Sequence, residues 1–209
     1  MLCIYDRRLF LRKLVLYENI TDDELKKMFK DIRHTVQRLD YIRRYYTERK
    51  DEYEIRNFSS SDKKLLGKIE VFKNRDIKKH EIDEALFFIN KGYDVTLLPE
   101  GEIQHEKNVD ALFNSSFLVE FRQVKTDKAK NIADEIRRAA NKGNSEIISV
   151  FFIENAINTQ NDRILYEVNE KIKKGDFTGE FDSLLLINSG KITHIKNMVS
   201  STEVNTYHN

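Results

Sequence analysis

The chain has 209 residues, of which 40% are hydrophobic and 34% charged, enough for one generous domain or two small ones and too apolar for a disordered chain. A single cysteine, Cys3, excludes an internal disulfide and a thiolate zinc cluster, and no apolar run approaches the length of a membrane span. The net charge of +1 hides a split: residues 1–75 carry 19 basic and 13 acidic side chains, net +6, leaving 17 of the 36 basic and 22 of the 35 acidic residues, net −5, to the rest.

At the start of the chain, Leu9, Phe10, Leu11, Leu14, Val15, Leu16 and Tyr17 predict a helix, or a helix followed by a short strand. Arg7 and Arg8 precede no long apolar core, so no secretory signal is expected and a reducing, cytoplasmic location is the default. Thr21 followed three residues later by Glu24 is a capping-box signature. From Leu25 the apolar positions Met28, Phe29, Ile32, Val36, Leu39, Ile42 and Tyr46 recur at three- and four-residue steps, predicting one long helix to about residue 50. Its Arg43, Arg44 and Arg49 interleave with Tyr41, Tyr45 and Tyr46, a pattern suited to phosphates and unpaired bases and equally suited to a solvated helix face. The small polar run 58–62 is the best internal boundary.

From residue 76 the pattern changes. A helix carrying Ile82, Ala85, Leu86 and Ile89 ends at Gly92. A strand at 93–98 stops at Pro99, and two apolar runs at 109–113 and 117–124 flank a turn at 114–116, reading as a hairpin. A helix at 131–141, a strand at 147–153 apolar on both faces, a helix at 164–172 and a second hairpin at 181–195 follow. The expected organisation is a basic, mainly helical region 1–75, an α/β domain 76–197, and a flexible tail 198–209.

Phosphate loops, paired-histidine metal motifs and nucleophile elbows are absent from the sequence. What remains is carboxylates in apolar strands: Asp110 beside Val109 and Ala111, and Glu120 between Val119 and Phe121. Burying them is costly without a partner, and a divalent cation would relieve their repulsion. Arg122 shares the face of Glu120, two residues on, and Lys125 follows. Such a set can orient water against a phosphodiester, and it can also be a plain salt-bridge cluster.

A helix, a strand, an Asp on a second strand and Glu-x-Arg on a third is similar to the PD-(D/E)xK nucleases, the restriction-endonuclease-like fold. Within it, the chain resembles the C-terminal tRNA nuclease toxin domains of contact-dependent growth-inhibition proteins. The likeness runs over residues 76–197, through Gly92-Tyr93-Asp94-Val95, Leu97-Leu98-Pro99, Asn108-Val109-Asp110, Val119 to Lys125, and Lys130-Asn131-Ile132. It implies a mixed sheet flanked by helices and a metal-dependent nuclease acting on RNA, tRNA included, or on DNA. Asp110 and Glu120 would hold Mg²⁺, Mn²⁺ or Zn²⁺. Glu81 would be the helix carboxylate, with Glu84 as the fallback because it points away from the Ile82/Ala85/Ile89 face. Arg122 stands where the family has Lys, with Lys125 as a substitute, and Val109 stands where the family has Pro. Lys128, Lys130, Arg137, Arg138, Arg43 and Arg44 are the candidate nucleic-acid contacts, and an immunity or other partner protein is implied. A lapsed nuclease fold that only binds nucleic acid, or a protein-interaction component, remains the alternative.

Overall fold

The computed structural model describes residues 12–32, 37–56, 66–73, 75–99, 102–103, 106–107, 109–142, 145–152, 160–179 and 181–199. In chain order the elements are β1 (Arg12–Tyr17), α1 (Asp22–Asp31), α2 (Gln37–Thr47), a 3-10 turn (Lys50–Glu52), β2 (Tyr53–Ile55), β3 (Ile69–Phe72), α3 (Lys79–Ile89), β4 (Val95–Leu97), β5 (Glu102–Ile103), β6 (Glu106–Lys107), β7 (Ala111–Phe113), β8 (Phe117–Val124), α4 (Ala129–Lys142), β9 (Ile147–Phe152), α5 (Asn161–Lys173), β10 (Ser183–Asn188) and β11 (Lys191–Val199).

Nine strands form one mixed sheet in the order β1-β11-β10-β9-β8-β7-β4-β3-β2, and β5 and β6 pair separately. The two expected hairpins are β7–β8 and β10–β11, both antiparallel. β9 lies parallel to β8 on one side and to β10 on the other, as its two-faced apolar sequence predicts. β4 joins the hairpin antiparallel to β7, with Val95 opposite Phe113 and Leu97 opposite Ala111. The α/β class with a mixed sheet between helices is therefore as expected from the pattern of elements.

Strand alternation divides the core into two faces. On the first, Val119 and Phe121 of β8 meet Phe113, Val95, Val71 and the α3 residues Ala85, Phe88 and Ile89, with Leu25, Met28 and Phe29 of α1 packed over them. On the second, Ile132, Ile136, Ala139 and Ala140 of α4 and Ile164 and Val168 of α5 cover Val124, Ile148, Val150, Leu184 and Leu186. Beside them Tyr46 of α2 packs against Leu98, Val109, Leu112 and Leu118.

This division corrects the single long helix expected from residue 22 to about 50. The backbone leaves the helix at Ile32 with φ −66° and ψ 120°, and helix resumes at Gln37. One stripe of apolar spacing serves two helices on opposite faces: α1 buries Phe29 and Ile32 on the first, α2 buries Tyr46 on the second. The start of α1 is the expected capping box, with Thr21 Oγ1 accepting from Glu24 N and Glu24 Oε2 accepting from Thr21 N at 2.7 Å.

Residues 1–75 are also less helical than expected. Residues 12–17 form strand β1, whose antiparallel register with β11 sets Arg12 opposite Val199, while β3 runs parallel to β4. Both strands extend the sheet of the 76–197 segment, so the boundary at residue 75 falls inside one continuous sheet. The 58–62 boundary and residues 200–209 of the expected tail lie outside the described residues, and β11 carries the sheet through Met198 and Val199.

Candidate active site

The carboxylates come from three elements. Asp110 immediately precedes β7; its carbonyl accepts from Leu98 N at 3.0 Å and its Oδ2 accepts from Phe121 N at 2.7 Å. These two bonds tie the end of β4 to the middle of β8. Glu120 lies in β8 on the face shared with Arg122 and Val124, and its side chain is 0% exposed. Its Oε1 carries two cations, Arg122 Nη2 at 2.5 Å and Lys142 Nζ from the last turn of α4. Arg122 is itself anchored, donating from Nη1 to the carbonyl of Phe121 at 3.0 Å. Glu120 Oε2 is buried and has no hydrogen-bond partner among the described residues.

Helix α3 supplies the third carboxylate, and both Glu81 and Glu84 face inward, although the sequence pointed Glu84 away from the packed face. The fully buried positions of α3 are Glu81, Glu84, Ala85, Phe88 and Ile89, whereas Ile82 is half-buried. The packed stripe is thus rotated from the Ile82/Ala85/Ile89 face read from the sequence, and Glu84 belongs to it. Glu81 is committed elsewhere: its Oε1 accepts from Arg75 Nη2 at 2.7 Å in a buried ion pair and its Oε2 accepts from Lys78 N at 3.0 Å, capping the helix. Glu84 is 1% exposed, and neither of its oxygens has a hydrogen-bond partner among the described residues.

The electrostatics tie these groups together. Burial, then the nearby charge of Asp110, then that of Glu81, push the Glu84 carboxyl up to about 9, against a smaller downward pull from Arg122. Burial and Asp110 likewise push Glu120 up to about 7, although Arg122 and Lys142 oppose the rise. A carboxyl that stays raised beside two cations is strongly desolvated, the kind of perturbation that accompanies functional sites.

The remaining candidates lie apart from this cluster. Lys125 is exposed beyond the end of β8, whose last residue Val124 is about 13 Å along the strand from Glu120; its place on Glu120 is taken by Lys142. Lys128 and Lys130 are exposed at the start of α4, and Lys142 is at its end, about 18 Å away along the axis. They therefore lie at the opposite end of α4 from the residue that meets Glu120. Arg137 and Arg138 pair with Asp134 and Glu135 on the same helix. Arg44 is exposed, but Arg43 is not a free cation: it binds Asp40 and, at 2.8 Å, the buried carboxylate of Glu146, whose Oε2 accepts from Leu118 N.

Lys142 and Arg75 escaped the sequence reading. Lys142 continues the Ile136/Ala139 stripe by one further step of three, which was the one available sign that it faces the sheet. Arg75 offered no periodic signal.

No family model matches the chain, and no curated protein matches it. Among solved structures, a chain of the CdiA-CT/CdiI toxin and immunity complex from Burkholderia pseudomallei is similar over 56% of this chain and 82% of that one, with 25% identity and a TM-score of 0.42. No described helix is long and apolar enough to cross a membrane.

Proposed function

We propose that the protein is a metal-dependent nuclease of the PD-(D/E)xK type, hydrolysing phosphodiester bonds in RNA or DNA. The observation that supports this reading is that Glu84 and Glu120 both feel the charges of Asp110 and Arg122, and Glu120 also that of Lys142, with three buried carboxylate oxygens left without hydrogen bonds among the described residues. No group of three or more metal-type side chains is already gathered among the described residues. The free oxygens nevertheless fit a divalent ion bound by one or two carboxylates, water and a substrate phosphate, and an all-oxygen donor set suits Mg²⁺ or Mn²⁺ better than Zn²⁺.

Asp110 and Glu120 would hold the ion, with Glu84 a further carboxylate coupled to Asp110. When bound, it would polarise the phosphoryl oxygen and acidify a water. Arg122, fixed by Phe121 O, presents a permanent positive charge to the phosphate and to the charge that grows as the P–O bond breaks. Asp110 is held against β8 by the bond that its Oδ2 accepts from Phe121 N. The exposed Lys125, Lys128 and Lys130 would bind the polyanion at a distance from the cut, fitting a substrate that spans about 15–20 Å. The resemblance to toxin domains extends the reading to a toxin-type nuclease with an immunity-type protein partner.

The test is a cleavage panel: tRNA, single-stranded RNA and duplex DNA, each with Mg²⁺, Mn²⁺ or Zn²⁺. Cleavage is expected with at least one pair, and Asp110→Ala and Glu120→Ala each lower it by at least about 100-fold. Cleavage that survives both substitutions, or no cleavage anywhere, rejects the reading. The saturation of Glu120 Oε1 by two cations favours a second one, a lapsed nuclease fold that only binds nucleic acid. In that case binding weakens steeply with salt and Asp110→Ala leaves it unchanged.

A further inference from the structure

We propose that Lys142 is the exchangeable cation of this site: its ammonium neutralises Glu120 when no divalent ion is bound and leaves the carboxylate when one arrives. The inference rests on the metal-binding reading above and assigns the residue that would compete with the ion.

Three observations carry it. Lys142 Nζ sits on Oε1 of a fully buried carboxylate, so it occupies a ligand oxygen rather than a neighbouring surface. Of the two cations on that oxygen, Arg122 is anchored by its bond to Phe121 O, whereas Lys142 pairs with Glu120 alone among the described residues and is 29% exposed. Lys142 also occupies the final position of α4, where its unbranched stem can swing toward solvent without disturbing Ile132, Ile136 or Ala139 in the core. A buried carboxylate left uncompensated is costly, which gives the metal-free protein a reason to keep an internal cation there. The same contact lowers the site's attraction for an external cation, since the bound ammonium must be displaced first.

Mn²⁺ binding to the full chain, measured calorimetrically at alkaline pH without nucleic acid, tests this. Lys142→Met is expected to tighten Mn²⁺ binding roughly tenfold, whereas Lys142→Arg and the exposed control Lys174→Gln leave it near wild type. Unchanged or weaker binding by Lys142→Met, or equal tightening by the control, overturns the proposal while leaving metal binding itself intact. No Mn²⁺ binding by wild type or Lys142→Met overturns both readings. A second measurement needs no variant. Amine acetylation of the wild-type protein, read residue by residue by mass spectrometry, should label Lys142 several-fold faster with Mg²⁺ than without, and equal rates overturn the exchange.

Discussion

Glu84 holds a proton that the unfolded chain would release. Its folded value of about 9 lies above the ordinary 4.5, so stability is full at low pH and falls as pH rises from about 4.5 toward 9. Glu84→Gln removes the ionisation while keeping the shape. It is expected to stabilise the protein by roughly 2–3 kcal/mol at neutral pH, seen as a higher Tm. His194 acts in the opposite direction. Its Nε2 lies 3.0 Å from Ser183 Oγ, and burial pushes its pKa down to about 4 from 6.5. Stability from His194 is intact above about 6.5 and is lost as pH falls toward 4. Between those arms the stability maximum of wild type is expected on the acid side of neutrality, and urea titrations of Glu84→Gln across pH should find it displaced upward. An unmoved maximum would show that Glu84 is ionised in the fold. At this scale the sequence was half legible. Asp110 and Glu120 stood out because carboxylates are rare inside apolar strands. The choice between Glu81 and Glu84 depended on a rotation of α3 by less than one residue step, which periodicity does not resolve.

Elements were legible where their causes are local. The Thr21–Glu24 capping box, the turn at 114–116 and Gly92, with φ +89° after α3, are each fixed by a few neighbouring residues. The break between α1 and α2 was not, because it depends on which sheet face each helix covers. What pins α2 is a long-range ion pair: Arg43 reaches Glu146, which is 1% exposed and also holds Leu118 N. Arg43→Met is expected to cost about 2–4 kcal/mol, because the Glu146 carboxylate stays buried after losing a partner. Arg43→Met with Glu146→Met should recover part of that loss, read from urea midpoints of both variants. If the double variant is less stable than the sum of the singles, the pair is not coupled as described.

For the whole molecule, hydrophobic patterning showed strands β4, β7, β8, β9, β10 and β11 but not their order, since pairing joins residues far apart in sequence. The placement of β1 beside β11, or of α4's last residue on Glu120, leaves no mark within either segment. The sheet order makes β1, β2 and β3 part of the same folding unit as the rest. Leu25, Met28, Phe29, Ile32 and Tyr46 are buried in it, and at about 1.5–3 kcal/mol each they approach the usual total margin of about 5–15 kcal/mol. Deleting residues 1–60 is therefore expected to abolish the cooperative unfolding transition, measured by near-ultraviolet circular dichroism during a urea titration. A sharp transition in the truncated chain would establish the 76–197 segment as an independent unit.

The pairing of β1 with β11 has a consequence during synthesis. Tyr17 faces His194 in that register, stacking on it with ring centroids 5.5 Å apart. Residues 12–17 have to wait for residues 191–199 to be made before their ladder can close. A closure between segments so far apart in sequence slows folding. Until then the free edge of Lys13, Leu14, Val15 and Leu16 is open to wrong partners, so the nascent protein is expected to lean on holding chaperones.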